Sequence, residues 1–340
     1  MNWLKTYIIV ISLYLVACTS GQEKAAGLLS SSKGAVGEVI LVIDSTLWAD
    51  TIGIGWAVRK VFLEEVPCLP QPEPMFTLRT VRPHGFNALL KECRNIVMVT
   101  TFDLDTYDTQ QLKKYFSEES IQKLSQDTTR FMLVQDDQFA TNQKIVHLFG
   151  RNADILQRHL LNPQNRRIIQ EIFNQEEKKR VTKEILEDKG NLPLAKNIAE
   201  KYGFRLHIPS GFVIAKEEKD FIWLRHLEAR HDRSIIVHVK NYIDERQFSP
   251  DSILAWRAYI GKTYLREPDN PNYYMTTETL AKPLFQITQL NGQFAHQLRG
   301  LWRLKDRFVG GVFIAYATTN QKNTKIYYIE GFNWAVGLKK

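Results

Sequence analysis

The first eighteen residues constrain the rest of the chain more than any other stretch. Lys5 precedes an eleven-residue apolar run, Thr6–Val16, which has the length of a signal-peptide core and is too short to span a bilayer. The run leads into Leu15-Val16-Ala17-Cys18, which looks like a lipobox, the signal for cleavage before a cysteine that then receives lipid. We therefore expect a lipoprotein signal peptide over residues 1–17, acyl chains such as palmitate on Cys18, and a tethered soluble body after it.

The residues that follow Cys18 predict where the anchored chain lies. Thr19 comes directly after the cysteine, and the lack of Asp at that position favours the outer membrane over retention in the inner one. No strong acidic run follows, which favours the periplasmic face. Residues 18–37 are rich in Ser, Gly and Ala and predict a flexible tether. No later stretch approaches ~20 apolar residues, so we expect no further segment to cross a membrane.

Strands alternate with helices in the first half of the chain. Glu38–Asp44 and Asn95–Phe102 are near-continuous apolar runs of the kind found in buried strands, while Leu47–Glu65 predicts a helix. Gly203 is a candidate helix C-cap, and we place a domain boundary there. The pattern predicts a first domain over residues 38–203, a sheet with alternating helices that includes a helical connector.

Strands dominate the second half. Ser234–Lys240 alternates as a strand does, and Asn291-Gly292 between two strand-like runs is typical of a hairpin turn. One long helix is predicted to begin at Ser249-Pro250-Asp251 and to run to about Leu265. We expect a C-terminal domain over residues 204–340, a mainly antiparallel sheet packed against that helix. The predicted fold class is α+β, in two domains.

Charge is unevenly distributed between the two halves. Residues 1–199 carry 24 Lys and Arg against 23 Asp and Glu, whereas residues 200–340 carry 21 against 14. The basic surplus suggests an anionic neighbour, such as lipid headgroups, an acidic envelope polymer or an envelope protein, although no cluster is long enough to mark a patch. An envelope address argues against nucleic acid as the partner.

The three cysteines lead to two different expectations. Cys18 is assigned to lipid, as above. Cys68 and Cys93 could pair as a disulfide in an oxidising compartment or stay as small buried thiols, and the sequence leaves both possibilities open. No Cys/His spacing typical of a metal site occurs, so we expect neither a metal nor a cofactor.

Several short motifs follow one another in an order that resembles a known family. They are Ile208-Pro209-Ser210-Gly211-Phe212, Phe221-Ile222-Trp223-Leu224-Arg225, Tyr274-Met275-Thr276-Thr277-Glu278, Arg299-Gly300-Leu301-Trp302 and Gly310-Gly311. With the lipobox and the helix start at Leu47-Trp48, the chain resembles a Bacteroidota-type envelope lipoprotein family, domain of unknown function 4837. The resemblance extends from Glu38 to about Trp334. It implies an envelope lipoprotein but no activity, and it supplies no catalytic residues.

Three side chains are candidates for binding a ligand. Trp223 and Arg225 lie on one face of a predicted strand, where an Arg beside a Trp could stack and bind an acidic group. The alternative is a Trp at the edge of the core whose neighbouring Arg extends into water. Trp302, from the fourth motif, is the third candidate.

Two groups of polar residues are candidates for a catalytic role. His226, Glu228, His231 and Asp232 form the densest acidic and histidine cluster, but the spacing of the histidines predicts opposite faces, and nearby arginines would repel a cation. A polar hairpin is the prediction there. Asp44, Asp103 and Asp136 follow or end predicted strands, where α/β sheets carry active sites, with solvated turns as the alternative. No serine or cysteine nucleophile motif occurs, and we predict no catalytic residues.

The expected function is therefore binding or scaffolding, without catalysis, by a membrane-anchored lipoprotein at the periplasmic face of the outer membrane. One alternative is a hydrolase acting on glycan, lipid or peptide in the cell envelope. Another is a structural subunit of a larger envelope assembly.

Overall fold

The computed structural model describes residues 29–228 and 231–335. The predicted signal peptide and Cys18 lie outside the described residues. The chain divides into two compact units: the residues up to 62 together with 76–174, and residues 63–75 together with those from 175 onwards. Within the described ranges, no helix has both the length and the apolar character that crossing a membrane requires. The α+β class and the two-part layout predicted from sequence are confirmed.

A mostly parallel sheet forms the centre of the first unit. Its strands are β1 (Glu38–Ile43), β2 (Thr77–Val81), β3 (Asn95–Thr101), β4 (Met132–Asp136) and β5 (Lys144–Gly150). They lie in the order β2-β1-β3-β5-β4, with only β4 antiparallel to its neighbour. Every residue of β3 is buried, which explains why its sequence is apolar without alternation.

Short helices connect these strands. They are α1 (Ser45–Ala49), α2 (Ile54–Phe62), α3 (Ala88–Lys91), α4 (Tyr107–Lys113), α5 (Glu118–Gln126) and α6 (Ala153–Leu161), with a 3₁₀ turn over Pro83–Gly85. The single helix predicted over Leu47–Glu65 is two helices. The break occurs because Asp50 Oδ1 accepts hydrogen bonds from the backbone N–H groups of Ile52 (3.1 Å) and Gly53 (2.7 Å), which starts a new helix. A longer helix, α7 (Pro163–Glu187), includes residues of both units.

Part of the predicted tether belongs to the first unit. The backbone N–H of Ser32 donates to Thr141 O (3.0 Å), and that of Lys33 donates to Glu92 O (2.8 Å). Lys33 O in turn accepts from the N–H of Arg94 at 2.9 Å. A Ser- and Gly-rich composition does not prevent this, because these are main-chain bonds that need no particular side chain. The predicted tether over 18–37 is therefore shorter at its C-terminal end than the sequence indicated.

An antiparallel sheet forms the second unit. Its strands are β6 (Val213–Glu217), β7 (Phe221–Leu227), β8 (His231–Asn241), β9 (Met275–Thr277), β10 (Leu284–Leu290), β11 (Gln293–Leu304), β12 (Gly310–Thr319) and β13 (Lys325–Ala335). The order is β10-β11-β12-β13-β8-β7-β6, and β9 also pairs with β11. Asn291 and Gly292 join β10 to β11 with φ angles of 50° and 76°, which is the hairpin turn that the sequence predicted.

Helices cover the two faces of this sheet. α8 (Leu192–Tyr202) and the segment after it pack Ile198 and Tyr202 against one face. α9 (Pro250–Tyr264), the predicted long helix, packs Trp256 and Ile260 against the other. The sequence placed the domain boundary near Gly203. α8 precedes that residue, and its Ile198 and Tyr202 belong to the core of the second sheet.

Cys68 and Cys93, for which the sequence allowed a disulfide, are free thiols. Burial raises the pKa of both thiols above the ordinary value for cysteine. The Cys68 thiol lies in the second unit and donates to the carbonyl oxygen of Lys282 at 3.5 Å. A raised pKa lowers the fraction of each thiol that is ionised at neutral pH.

A buried ion pair fixes α9 to the sheet. Arg257 Nη2 donates to Glu330 Oε1 of β13 at 2.8 Å, and Arg257 Nε donates to Oε2 at 3.1 Å. The two side chains are 3% and 1% exposed. Arg257 also donates to Thr277 Oγ1 (2.9 Å), and the Tyr328 hydroxyl donates to Glu330 Oε2 (2.5 Å). Each of the two charged groups has the other and a hydroxyl group as hydrogen-bond partners. These bonds offset the free-energy cost of removing two charges from water.

Arg257→Met should therefore lower the free energy of unfolding by about 3–5 kcal/mol, because Glu330 would remain buried without its cation. Arg257→Met combined with Glu330→Gln should recover much of the loss, since no unpaired charge remains. The measurement is denaturant unfolding followed by tryptophan fluorescence. Arg246→Met, which breaks an exposed pair with Asp244, is the matched control and should leave unfolding unchanged. If Arg257→Met and Arg246→Met lowered the free energy of unfolding equally, this account would be wrong.

Candidate functional site

One cavity of the second unit contains all three side chains that the sequence singled out for binding. Trp223 and Arg225 of β7 and Trp302 of β11 line a space of about 450 Å³. We call this space the tryptophan cavity. Its lining residues are Ala215, Trp223, Arg225, Asp232, Leu265, Arg266, Glu267, Pro268, Met275, Trp302, Leu304, Val309, Phe332 and Trp334.

Strand register explains why these residues meet. Arg225 lies opposite Ser234 of β8, and Ser234 lies opposite Phe332 of β13. Side chains alternate along each strand, so Trp223 and Trp334 share the face of Arg225 and Phe332. The Phe332 ring lies between two of the indoles, with centroids 5.8 Å from Trp302 and 6.3 Å from Trp223. The cavity wall is therefore an aromatic surface built from three strands.

The polar edges of two indoles are already bonded within the protein. Trp223 Nε1 donates to Ser234 Oγ at 3.0 Å, and Trp302 Nε1 donates to the backbone oxygen of Asn333 at 3.1 Å. Gly311 makes the second bond possible, because a Cβ there would lie 2.1 Å from Asn333 O and 2.9 Å from Trp302 Nε1. With their N–H groups satisfied and their orientations fixed, these rings offer apolar faces to a ligand.

Arg225 is not free to bind an acidic ligand in the way the sequence suggested. Its guanidinium forms a two-pronged ion pair with Asp232, with Nε 2.8 Å from Oδ2 and 3.0 Å from Oδ1. The hydrogen bond to Asp232 raises the pKa of Arg225, and its Cζ lies 5.6 Å from the Trp223 ring centre. Arg225 thus lies beside Trp223, and its charge is paired with that of Asp232 on the neighbouring strand.

Charges at the cavity rim are close to balanced. Glu267 lies 3.7 Å from Arg307 Nη2, and Asp232 holds Arg225. Arg266 is exposed at the rim and forms no ion pair with any residue in the described ranges. The lining thus combines apolar walls with one available cation. In that same part of the chain, no group of three or more His, Cys, Asp or Glu could hold a metal ion.

The histidine and acidic cluster is divided between the two faces of the sheet. His226 Nδ1 lies 3.2 Å from both Glu228 Oε1 and Arg233 Nη2. Asp232 instead pairs with Arg225 in the tryptophan cavity. His226 and Asp232 therefore make separate polar contacts on the antiparallel strands β7 and β8, and the side chain of His231 lies outside the part of the chain that the structure describes.

The three strand-end carboxylates do not converge. Asp44 is buried, with Oδ1 accepting from the N–H of Thr46 (2.7 Å) and Oδ2 from the hydroxyl of Thr106 (2.5 Å). Burial acts to raise the pKa of Asp44, but the hydrogen bonds from Thr106 and Thr46 outweigh it and hold the pKa below its ordinary value. Asp136 pairs with Lys144, and Asp103 is exposed. Asp44 thus caps α1 and connects it to the start of α4.

Asp44→Ala should lower the free energy of unfolding by about 1–2 kcal/mol, because α1 loses its cap and Thr106 loses its acceptor. The lowered pKa means that Asp44 stabilises the fold above about pH 4, and that this contribution disappears as pH falls through the folded-state pKa. Unfolding midpoints measured from pH 7 to pH 3 should therefore converge for wild type and variant in acid. Asp103→Ala is the matched control. A difference that persists unchanged at pH 3 would contradict the assignment.

The sequence missed a second depression, on the opposite face of the same sheet. A groove of about 760 Å³ is lined by apolar residues that include Phe212, Ile235 and Ile314, with Gly331 in its floor. A Cβ on Gly331 would meet only Ile314 Cγ2, at 3.9 Å, so the missing side chain leaves space that no other residue fills. The sequence also missed Phe332 and Trp334 in the tryptophan cavity. The sequence shows that Phe332 and Trp334 are two residues apart and so share a face of β13. Which side chains of the other strands share that face depends on strand register.

Comparisons with known proteins give two family matches and weak likenesses to solved structures. Residues 32–186 match the family model described as domain of unknown function DUF8532, and residues 191–340 match domain of unknown function DUF4837. No curated protein matches the chain. Part of the chain is similar to the crystal structure of the Saccharomyces cerevisiae Ran-binding protein Mog1p, with 10% identity over 38% of this chain and 70% of that one. The TM-score of 0.25 is too low to carry an argument.

The family matches correct the extent of the resemblance found in the sequence. The resemblance was traced from Glu38 to about Trp334, but the stretch before residue 187 matches a different family model. The ordered motifs from Ile208 to Gly311 all lie within the matched C-terminal stretch. Residues 191–340 of this chain belong to the DUF4837 family of domains of unknown function.

Proposed function

We propose that this protein is a membrane-anchored envelope lipoprotein that binds a small amphiphilic ligand in the tryptophan cavity and catalyses no reaction. The lipobox ending at Cys18 supports anchoring by lipid at the periplasmic face of the outer membrane. The observation that carries the binding role is that Trp223, Arg225 and Trp302 line one cavity. At about 450 Å³ the cavity has the size at which proteins bind small molecules.

The walls indicate what part of a ligand enters the cavity. Trp302 and Met275 are buried, and Leu304 and Val309 add aliphatic surface. The two bonded indole N–H groups cannot donate to a ligand without breaking their present bonds. An acyl chain or an aromatic ring therefore suits the interior better than a sugar or a peptide backbone, which would need hydrogen-bond partners there.

The rim indicates where a polar head would lie. Arg266 is the available cation, while Arg225 is held by Asp232. The cavity therefore suits an amphiphile whose anionic group pairs with Arg266 and whose apolar part lies inside. The basic surplus of residues 200–340 is consistent with such a ligand and with an anionic envelope polymer, but the cavity favours the amphiphile because its surface is mainly apolar.

Ala215→Trp should weaken ligand binding by about tenfold or more, equivalent to about 1.4 kcal/mol, because Ala215 lines the cavity from the exposed edge strand and an indole there would fill it. The probe is 2-naphthalenesulfonate, which has an aromatic body and one anionic group. Binding is measured by equilibrium dialysis against the full chain in lipid nanodiscs, with empty nanodiscs as the blank.

Val213→Trp is the matched control for that substitution. Val213 lies on the same strand and is exposed, but it does not line the tryptophan cavity. We expect Val213→Trp to bind the probe with the affinity of the wild type. Ala215→Trp and Val213→Trp should both keep the wild-type thermal unfolding midpoint. If the wild type takes up no probe beyond the blank, or if the two variants lose affinity equally, the binding proposal is wrong.

Cys18→Ala should leave an uncleaved precursor or release the body from the membrane fraction, because Cys18 is the cysteine directly after the apolar run, and Cys68 and Cys93 lie far beyond it. Cell fractionation and gel mobility, with metabolic labelling by a fatty acid, measure this. Cys68→Ser is the control, since Cys68 lies in the folded body and should leave labelling unchanged. If Cys18→Ala fractionates, migrates on gels and takes up label as the wild type does, the lipoprotein assignment is wrong.

A further inference from the structure

The two outer strands of the second sheet are protected very differently against pairing with another chain. β6 is five residues long, carries Lys216 and Glu217, and has a register shift between Ile214 and Lys216. Short length, charge and irregularity are the usual means by which an edge strand avoids adding a further strand. β10 has none of them. Its sequence, Leu-Phe-Gln-Ile-Thr-Gln-Leu, lacks charge and proline, and it pairs with β11 over seven consecutive residues without a bulge.

The outer side of β10 has backbone groups available for pairing. Leu290 and Gln293 flank the two-residue turn and pair with each other, so the backbone groups of Leu290 point towards β11. Because N–H and C=O groups alternate in direction along a strand, those of Phe285, Ile287 and Gln289 point outward. Within the described ranges, no main-chain bond to the outward groups of these three residues occurs.

We propose that two copies of this chain pair through β10, antiparallel, about a two-fold axis at Ile287. In this register Ile287 faces the partner's Ile287, Leu284 faces the partner's Leu290, and Gln286 faces the partner's Thr288. Three of the facing pairs join side chains of the same polarity, while Phe285 faces the partner's Gln289, so the strand is largely complementary to itself, as a two-fold interface requires. The chain carries a formal charge of +8, yet no charged side chain lies on this strand to repel the second copy.

Exposed apolar side chains beside this axis would be covered by the pairing. Ile287 is 69% exposed, and Leu284 and Phe294 are also exposed. Phe294 lies opposite Gln289 on the face that carries Ile287, so it borders the same row of side chains. A second copy is favoured over an unrelated peptide because five of the seven residues of β10 would face a side chain of the same polarity in this register.

Disulfide trapping tests the pairing and its register in the full chain. Ile287→Cys is placed in a Cys68→Ser, Cys93→Ser background and expressed in cells, and non-reducing gels are run after mild oxidation. The backbone groups of Ile287 point away from β11, so two copies would form a hydrogen-bonded pair with a Cα separation of about 5.5 Å, within disulfide range. We expect most of the chain to run at twice its mass, with Phe285→Cys and Gln289→Cys trapped less efficiently.

Ile243→Cys is the matched control, since Ile243 is exposed in the loop after β8 and lies off this edge. Trapping of Ile287→Cys no better than that of Ile243→Cys would overturn the proposal. So would a crosslinked product of another mass, which would identify a different protein as the occupant of this edge.

A second measurement does not depend on disulfide chemistry. The mass of the detergent-solubilised full chain is determined by light scattering for wild type, Ile287→Lys and Ile243→Lys. The wild type and Ile243→Lys should be dimeric and Ile287→Lys monomeric, with unchanged circular dichroism melting because Ile287 is exposed. A monomeric wild type, or an Ile287→Lys variant that stays dimeric, would overturn the proposal.

Discussion

The buried pair between Arg257 and Glu330 determines how the second unit is arranged. It joins the middle of α9 to the most central part of the sheet, and its hydrogen bond to Thr277 extends the connection to β9. The guanidinium carbon also lies 3.8 Å from the Phe313 ring centre, which adds a cation–π contact. A hydrophobic contact could slide by a fraction of a residue, but this pair specifies one position for the helix.

The tryptophan cavity follows from that position. Once Arg257 is fixed, the end of α9 places Leu265 at one side of the cavity, and β9 places Met275 at another. Gly261 permits the close approach, because a Cβ there would lie 2.0 Å from Met275 O. A glycine inside a helix costs about 1 kcal/mol relative to alanine. Its presence beside the ion pair is explained by this contact, which no larger residue could make.

Local pattern predicted the elements better than it predicted their contacts. The alternation of Ser234–Lys240 and the turn at Asn291-Gly292 identified strands and a hairpin, because both depend on neighbours in sequence. The spacing of Trp223 and Arg225 likewise placed them on one face. The pairing of Arg225 with Asp232 was not predicted, since it depends on the register between two strands. Sequence proximity suggested instead that Asp232 belonged with His226.

That pairing also decides which interaction can supply binding energy in the cavity. An acidic ligand at Arg225 would exchange one carboxylate for another, so little net energy would be gained. When a ligand buries apolar surface in the cavity, it displaces no existing protein contact. At about 25 cal/mol per Å², a hydrocarbon group that buries about 100 Å² contributes about 2.5 kcal/mol of binding free energy. Discrimination among ligands should therefore depend on the size and shape of the apolar part. The head group at Arg266 would then set orientation more than affinity.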